Sequence, residues 1–133
     1  MARKTHGKLH IFTGTFASRD EACLYSEAQW EPEPDDSVSD EEYAAWEDRN
    51  PAWGLRDELG IGLDSDFIET IAGWSQYVAG YLVNPADMDT IRTKAGDANI
   101  AVLIFPDALR DRNSTLKSTS KLTYCGAFDF GWN

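Results

Sequence analysis

The sequence predicts a single α+β domain, a mixed and mostly antiparallel sheet of about four strands packed with helices in the order β-α-α-β-α-β-β. Three observations predict it. Ile100-Ala101-Val102-Leu103-Ile104-Phe105 is apolar throughout, the signature of a central strand covered on both faces. Leu122, Tyr124, Gly126, Phe128 and Phe130 alternate with Thr123, Cys125, Ala127 and Asp129, the period-two pattern of a strand with one aromatic face. Two serine-led runs, Ser18-Arg19-Asp20-Glu21 and Ser39-Asp40-Glu41-Glu42, have the form of capping boxes, in which side chains satisfy the unpaired backbone N–H groups of a new helix.

Taken in order, Lys8 to Phe16 is aromatic and β-branched and reads as the first strand. From Arg19 to about Trp30, Ala22, Leu24, Tyr25, Ala28 and Gln29 recur at three- and four-residue steps and predict a helix, stopped by Pro32 and Pro34. Ser39 then opens a short helix bearing Tyr43 and Trp46. Asn50-Pro51 predicts a third start, with Asn50 as cap, and Gly60 a C-cap. Leu63 to Ala72 reads as a turn followed by a strand. Ile71, Trp74, Val78 and Leu82 predict a short helix over Ser75 to Val83. Asn84-Pro85 opens another, with Met88, Ile91 and Ala95 inward and Gly96 near its end. Pro106 ends the apolar strand, Asp107 to Ser114 reads as a polar loop, and the short link to the last strand favours an antiparallel pair.

At 133 residues with 42% hydrophobic content, the chain is one domain that can bury a core without a disulfide or metal. Cys23 and Cys125 have no CxxC partner and read as small core thiols. The basic start Met1-Ala2-Arg3-Lys4 lacks the apolar run and cleavage site of a signal peptide, so a cytoplasmic location is expected. No apolar run approaches the roughly 20 residues of a membrane helix. The net charge of −11 disfavours nucleic acid and anionic lipid as partners and favours cationic ones.

Nine of those eleven net charges lie between Glu31 and Asp48, a stretch without Lys or Arg. Trp30, Tyr43, Trp46 and Trp53 are interleaved with it or flank it. Aromatic anchors among steering carboxylates are the make-up of a docking surface, and the expected contacts are Glu33, Asp35, Asp36, Asp40, Glu41, Glu42, Tyr43 and Trp46. A solvated, solubilising face has the same composition. Asp64, Asp66 and Glu69 form a second cluster, read as a capped turn, a partner contact or, least favoured, a cation site; the central Gly and further ligands of an EF-hand loop are missing. His6 and His10 share one strand face, too few for zinc, and read as solvated. No nucleophile elbow, phosphate loop or dinucleotide glycine pattern is present. No catalytic residue, cofactor or metal is therefore expected, and the three classes carried forward are a partner-binding protein, an acidic module or nucleic-acid mimic with another client, and a metal-dependent hydrolase.

Leu9-His10-Ile11-Phe12-Thr13-Gly14-Thr15-Phe16-Ala17-Ser18-Arg19-Asp20-Glu21, Leu59-Gly60-Ile61 leading into Asp64-Ser65-Asp66-Phe67-Ile68-Glu69, Asn99 to Ile104, and Tyr124 to Phe130 together resemble the immunity protein 22 family of bacterial polymorphic-toxin systems. The resemblance spans nearly the whole chain through short motifs in order. Thr13 departs from the family's usual small or apolar residue, and the acidic proline segment is longer than usual. It implies toxin neutralisation by binding a cognate toxin domain and carries over Asp64, Asp66 and Glu69 as motif positions without assigned roles; the concentrated negative charge adds the expectation of a basic toxin domain, a nuclease for instance.

Overall fold

A computed structural model describes residues 5–131; the basic start Met1–Lys4 lies outside them. The central pair of strands are β1 (Lys8–Gly14) and β3 (Ile100–Ile104), joined antiparallel with Ile11 opposite Leu103 and Phe12 opposite Val102. β2 (Ile68–Ala72) lies outside β3 and β4 (Thr123–Asp129) outside β1, so the order is β2-β3-β1-β4 and every neighbouring pair is antiparallel. All five residues of β3 are buried. Alternate side chains of an extended strand point to opposite faces, so an apolar strand of this kind requires cover on both.

That cover comes from helices in two layers. On one face Phe12, Ile100, Val102 and Ile104 pack against Ala22 and Tyr25 of α1 (Arg19–Ser26) and Leu55 and Leu59 of α3 (Gly54–Leu59). On the other, Leu9, Ile11, Ala101 and Leu103 meet Val78 of α4 (Ser75–Ala79) and Met88 and Ile91 of α5 (Asp87–Ala95), with Trp74 and Leu82 beside them. The α+β expectation holds, and β3 is central as its composition requires.

Several local expectations are corrected. β4 pairs with β1, not β3: β1 lies between them, so β3 and β4 run in the same direction, and the intervening chain, which starts with a one-turn helix at Pro106–Ala108, returns to the opposite end of the sheet with Ala108, Leu109, Leu116 and Leu122 packed in the α1/α3 layer. Asp107 to Ser114 is not wholly polar loop, since Ala108 and Leu109 are buried and Leu109 bridges to Leu63. The aromatic row of β4 is split between layers. The register shifts by one residue between Ile11 and Phe12, where Ile11 faces Gly126 and Phe12 faces Tyr124. Leu122 and Tyr124 therefore belong to the α1/α3 layer, while Cys125, Phe128 and Phe130 belong to the α4/α5 layer. Gly126, at φ 128°, supplies the backbone conformation of this bulge, which a side chain would resist.

β1 ends at Gly14, short of Phe16, whose backbone N–H and C=O are both taken by the Asn99 side-chain amide. Ser18 caps α1 as expected, accepting from Glu21 N at 3.2 Å. The helix stops at Ser26 because Gln29 is drawn into a two-hydrogen-bond bridge with Ala52, which demands extended backbone. Leu24, counted with the inward face, is 63% exposed. Asn50 does not cap α3. It closes the preceding helix, its N–H donating to Glu47 O, and α3 begins at Gly54. Gly60 ends α3 in the left-handed conformation expected of it. The helix read over Ser75 to Val83 is confined to Ser75–Ala79.

Polar ties fasten α1 to its neighbours. The hydroxyls of Ser26 and Thr70 bond at 2.6 Å within the core, linking α1 to β2. Arg19 Nε donates to Thr70 O at 2.8 Å, on β2's outer side. The hydroxyl of Tyr25 bonds the Glu58 carboxylate and lies 2.7 Å from Thr119 Oγ1. Burial, and then that carboxylate, push the Tyr25 phenol up to about 12.

Leu103 is wholly buried at the middle of the sheet. Leu103→Ala is expected to lower the unfolding free energy by about 2–5 kcal/mol, through lost transfer energy and the cavity left behind, as read from urea denaturation.

Candidate functional site

The acidic stretch folds as an arm. Its neck is the Gln29–Ala52 bridge, in which each residue donates its N–H to the other's carbonyl at 2.9 Å. Between these residues lie an extended segment and α2 (Asp40–Arg49), none of whose residues is buried. Ser39 caps α2 as expected, accepting from Glu42 N at 3.1 Å. Asp40, Glu41 and Glu42 fill its first turn, where the helix dipole favours negative charge.

Side chains of the arm hold it together. Glu31 accepts from Arg49 Nε at 2.7 Å and from Asn50 Nδ2 at 3.0 Å, and these donors, Arg49 first, hold its carboxyl below the usual range. Trp46 Nε1 donates to Glu31 O, and the Tyr43 hydroxyl donates to Glu33 at 2.6 Å. The Ser37 hydroxyl and backbone N–H both donate to Asp35, and lower its pKa. Glu31, Glu33 and Asp35 thus serve the arm's own structure. The carboxylates of Asp36, Asp40, Glu41, Glu42, Glu47 and Asp48 are exposed, and Glu47 adds to the negative field that, after the Glu33 hydrogen bond, raises the Tyr43 phenol.

Three rings line up on this arm. Trp30 and Trp46 lie 6.1 Å apart between centroids, and Trp46 and Tyr43 5.6 Å. Trp30 is 63% exposed, and Tyr43 and Trp46 are half-buried against each other rather than in the core. Trp53 does not belong to the row. It is 4% exposed and donates from Nε1 to Ser26 O inside the α1/α3 layer, because the neck returns the chain to the body just before it.

The second cluster is partly joined to the first. Asp64 accepts from Asp66 N at 3.0 Å and caps the single turn Ser65–Phe67, a structural task. Asp64 and Asp66 line a cleft of about 500 Å³ together with Trp30, Pro51, Arg56 and Arg110 at the arm's base. Glu69 lies apart on β2, where it accepts from the Tyr77 hydroxyl at 2.7 Å. The Tyr81 hydroxyl, and then Glu69, raise the Tyr77 phenol. Among the described residues, no group of three or more His, Cys, Asp or Glu is placed to hold a metal ion. No helix among them is long and apolar enough to cross a membrane.

His10 is not solvated. It is half-buried with Nδ1 2.8 Å from the Tyr124 hydroxyl, and its burial depresses the imidazole pKa. Both cysteines are free thiols; Cys125 is buried beside Thr13, whereas Cys23 is half-exposed, contrary to its expected core place. Missed in the sequence was an aromatic run across one end of the sheet, from the β2 side to the end of β4: Tyr77–Tyr81, Tyr81–Phe105 and Phe105–Phe130 follow one another at 5.3, 5.4 and 5.5 Å. The four-residue spacing of Tyr77 and Tyr81 was the available signal. Neither protein-family models, curated proteins nor solved structures gave a match to this chain.

Two outcomes are expected. Trp46→Ala should raise amide exchange across Asp40–Arg49 while leaving β1 and β3 protected and the global transition in place, since α2 contributes nothing to either core layer. For His10, the folded pKa lies below the ordinary 6.5, so the unfolded chain takes up the proton first. Its stabilisation is present above about pH 6.5 and is lost as pH falls, so the wild-type advantage over His10→Gln in urea melts should shrink between about pH 7.5 and about pH 5.

Proposed function

We propose that this chain is a cytoplasmic immunity protein that binds and neutralises a cognate bacterial toxin domain, a basic one, through the acidic arm at residues 30–51. The observation that carries the reading is the Trp30–Trp46–Tyr43 row, left at the surface on an arm whose exposed side is carboxylate. Trp30 fills no core layer, and its contact with Trp46 still leaves it 63% exposed, apolar surface that packing of the arm does not cover. Large rings at a surface are the side chains that dominate interface energies once covered.

The surrounding carboxylates add rate and selectivity. Asp36, Asp40, Glu41 and Glu42 draw in a positively charged surface and penalise a negative one. The arm's internal bonds support affinity in another way, since a preorganised element loses less conformational entropy on docking. Asp64 and Asp66, lining the cleft beside Trp30, would be covered by the same partner. Neutralisation would follow from charge and shape: an acidic projection seated in a basic active site excludes its anionic substrate. The resemblance to the immunity protein 22 family supports the same reading.

The test is co-expression and binding with the small C-terminal toxin domain of a large secreted protein encoded beside this gene. The five-fold variant Asp35→Asn, Asp36→Asn, Asp40→Asn, Glu41→Gln, Glu42→Gln should lose protection and associate at least about tenfold more slowly at low salt. Trp46→Ala should leave association nearly unchanged and speed dissociation about thirtyfold, a truncation of about 2 kcal/mol. Unchanged protection and binding in the five-fold variant, with its fold intact by circular dichroism, would remove the arm from the interface.

A further inference from the structure

At the far end of β2 from the chain's bend at Gly73, Phe67, Tyr81 and Phe105 wall a cleft of about 300 Å³, and its remaining lining is Asp66 and Glu69. Its framework is fixed by backbone and ring packing. Phe105 N donates to Phe67 O at 3.1 Å, and Tyr81 stands edge-on to Phe105 at 5.4 Å and 72°. Phe67 stays 42% exposed at the mouth, where burial in the fold offers it no contact sufficient to cover it. Glu69 is steadied by the Tyr77 hydroxyl, yet a carboxylate accepts several hydrogen bonds and one is filled. The Asp66 carboxylate has no partner among the described residues.

The lining selects by chemistry. An apolar occupant would strip water from two carboxylates without replacing it. An anion would be repelled. For a hard metal cation the three rings that form most of the lining supply no ligand, and among the described residues no group of three or more His, Cys, Asp or Glu is placed to hold one. An organic cation meets both halves of the site: its charge sits over the aromatic faces, and its N–H groups bond the carboxylates. A flat, weakly hydrated guanidinium does this better than a compact, strongly hydrated ammonium. The volume is at the small end of ligand pockets, suited to one side chain rather than a whole cofactor. The net charge of −11 draws basic surfaces toward it.

We infer that the cleft between Phe67, Tyr81 and Phe105 receives the guanidinium of an arginine side chain presented by a protein partner, with Glu69 and Asp66 as its carboxylate acceptors. This gives a role to the Asp66-Phe67-x-Glu69 part of the second cluster, and it does not require the acidic arm to be an interface.

The test uses the whole chain, isotope-labelled, titrated to millimolar concentration with N-acetyl-arginine amide, and separately with the neutral citrulline and the lysine amides. The arginine probe should shift the amide signals of Phe67, Glu69, Tyr81 and Phe105 in a saturable way. The citrulline amide should not, and the lysine amide should bind roughly two- to fivefold more weakly. Glu69→Gln should weaken the arginine probe about tenfold, and Phe67→Ala, at an exposed position, roughly two- to fivefold. The five-fold arm variant should leave these shifts unchanged, which separates failure of this inference from failure of the arm as an interface. Shifts confined to the arm, equal binding of citrulline or lysine amide, or wild-type affinity in Glu69→Gln would each overturn the assignment.

Discussion

The two-faced burial of β1 and β3 is the constraint from which the rest of the structure follows. A pair of strands apolar on both sides is unstable until each face is covered, and here the covering helices are all drawn from the chain between the two strands. α1 and α3 close one face and α4 and α5 the other. With the middle positions taken, β2 and β4 occupy the edges, and the two clefts proposed as contact surfaces, at the arm's base and beneath Phe67, both take in Asp66 just before β2. Gln29 and Ala52, which join the arm to the body, follow α1 and precede α3, the two helices of one layer.

The arm obeys different rules from the body. Its order rests on hydrogen bonds and ring contacts at the surface, where each contributes little against conformational entropy. Two main-chain bonds at the neck fix where it begins and ends, and Glu31, Asn50 and Arg49 tighten the same point. Everything past Glu31 can yield without disturbing either core layer. A rigid body with a separately stabilised projection offers a partner a defined place to land and a surface that can adjust.

Much of the fold was legible in the sequence because its strongest signals are local. The unbroken apolar run at Ile100–Ile104 and the serine caps at Ser18 and Ser39 each act within a few residues, and each formed the element expected. The misreadings arose where a distant residue intervened. Trp53 stood beside the acids in sequence, but the neck carries it into the core. The alternation of Leu122 to Phe130 described one face until a bulge opposite Ile11 divided it. The candidate site was legible in part for the same reason: charge concentration is a property of a segment, and the segment is an arm. The cleft beneath Phe67 was not, since Tyr81 and Phe105 reach it from separate elements.

The contact of Arg19 with the outer carbonyl of Thr70 bears on how this molecule behaves in company. An outermost strand with unsatisfied main-chain groups invites a foreign strand to dock and extend the sheet, the first step toward aggregation. β2 is five residues long, and its middle carbonyl is occupied by a guanidinium anchored on the neighbouring helix. A would-be intruder must displace that cation and bring its own backbone past a bulky, charged side chain. The same placement that links α1 to the sheet therefore guards this outer border against indiscriminate main-chain pairing.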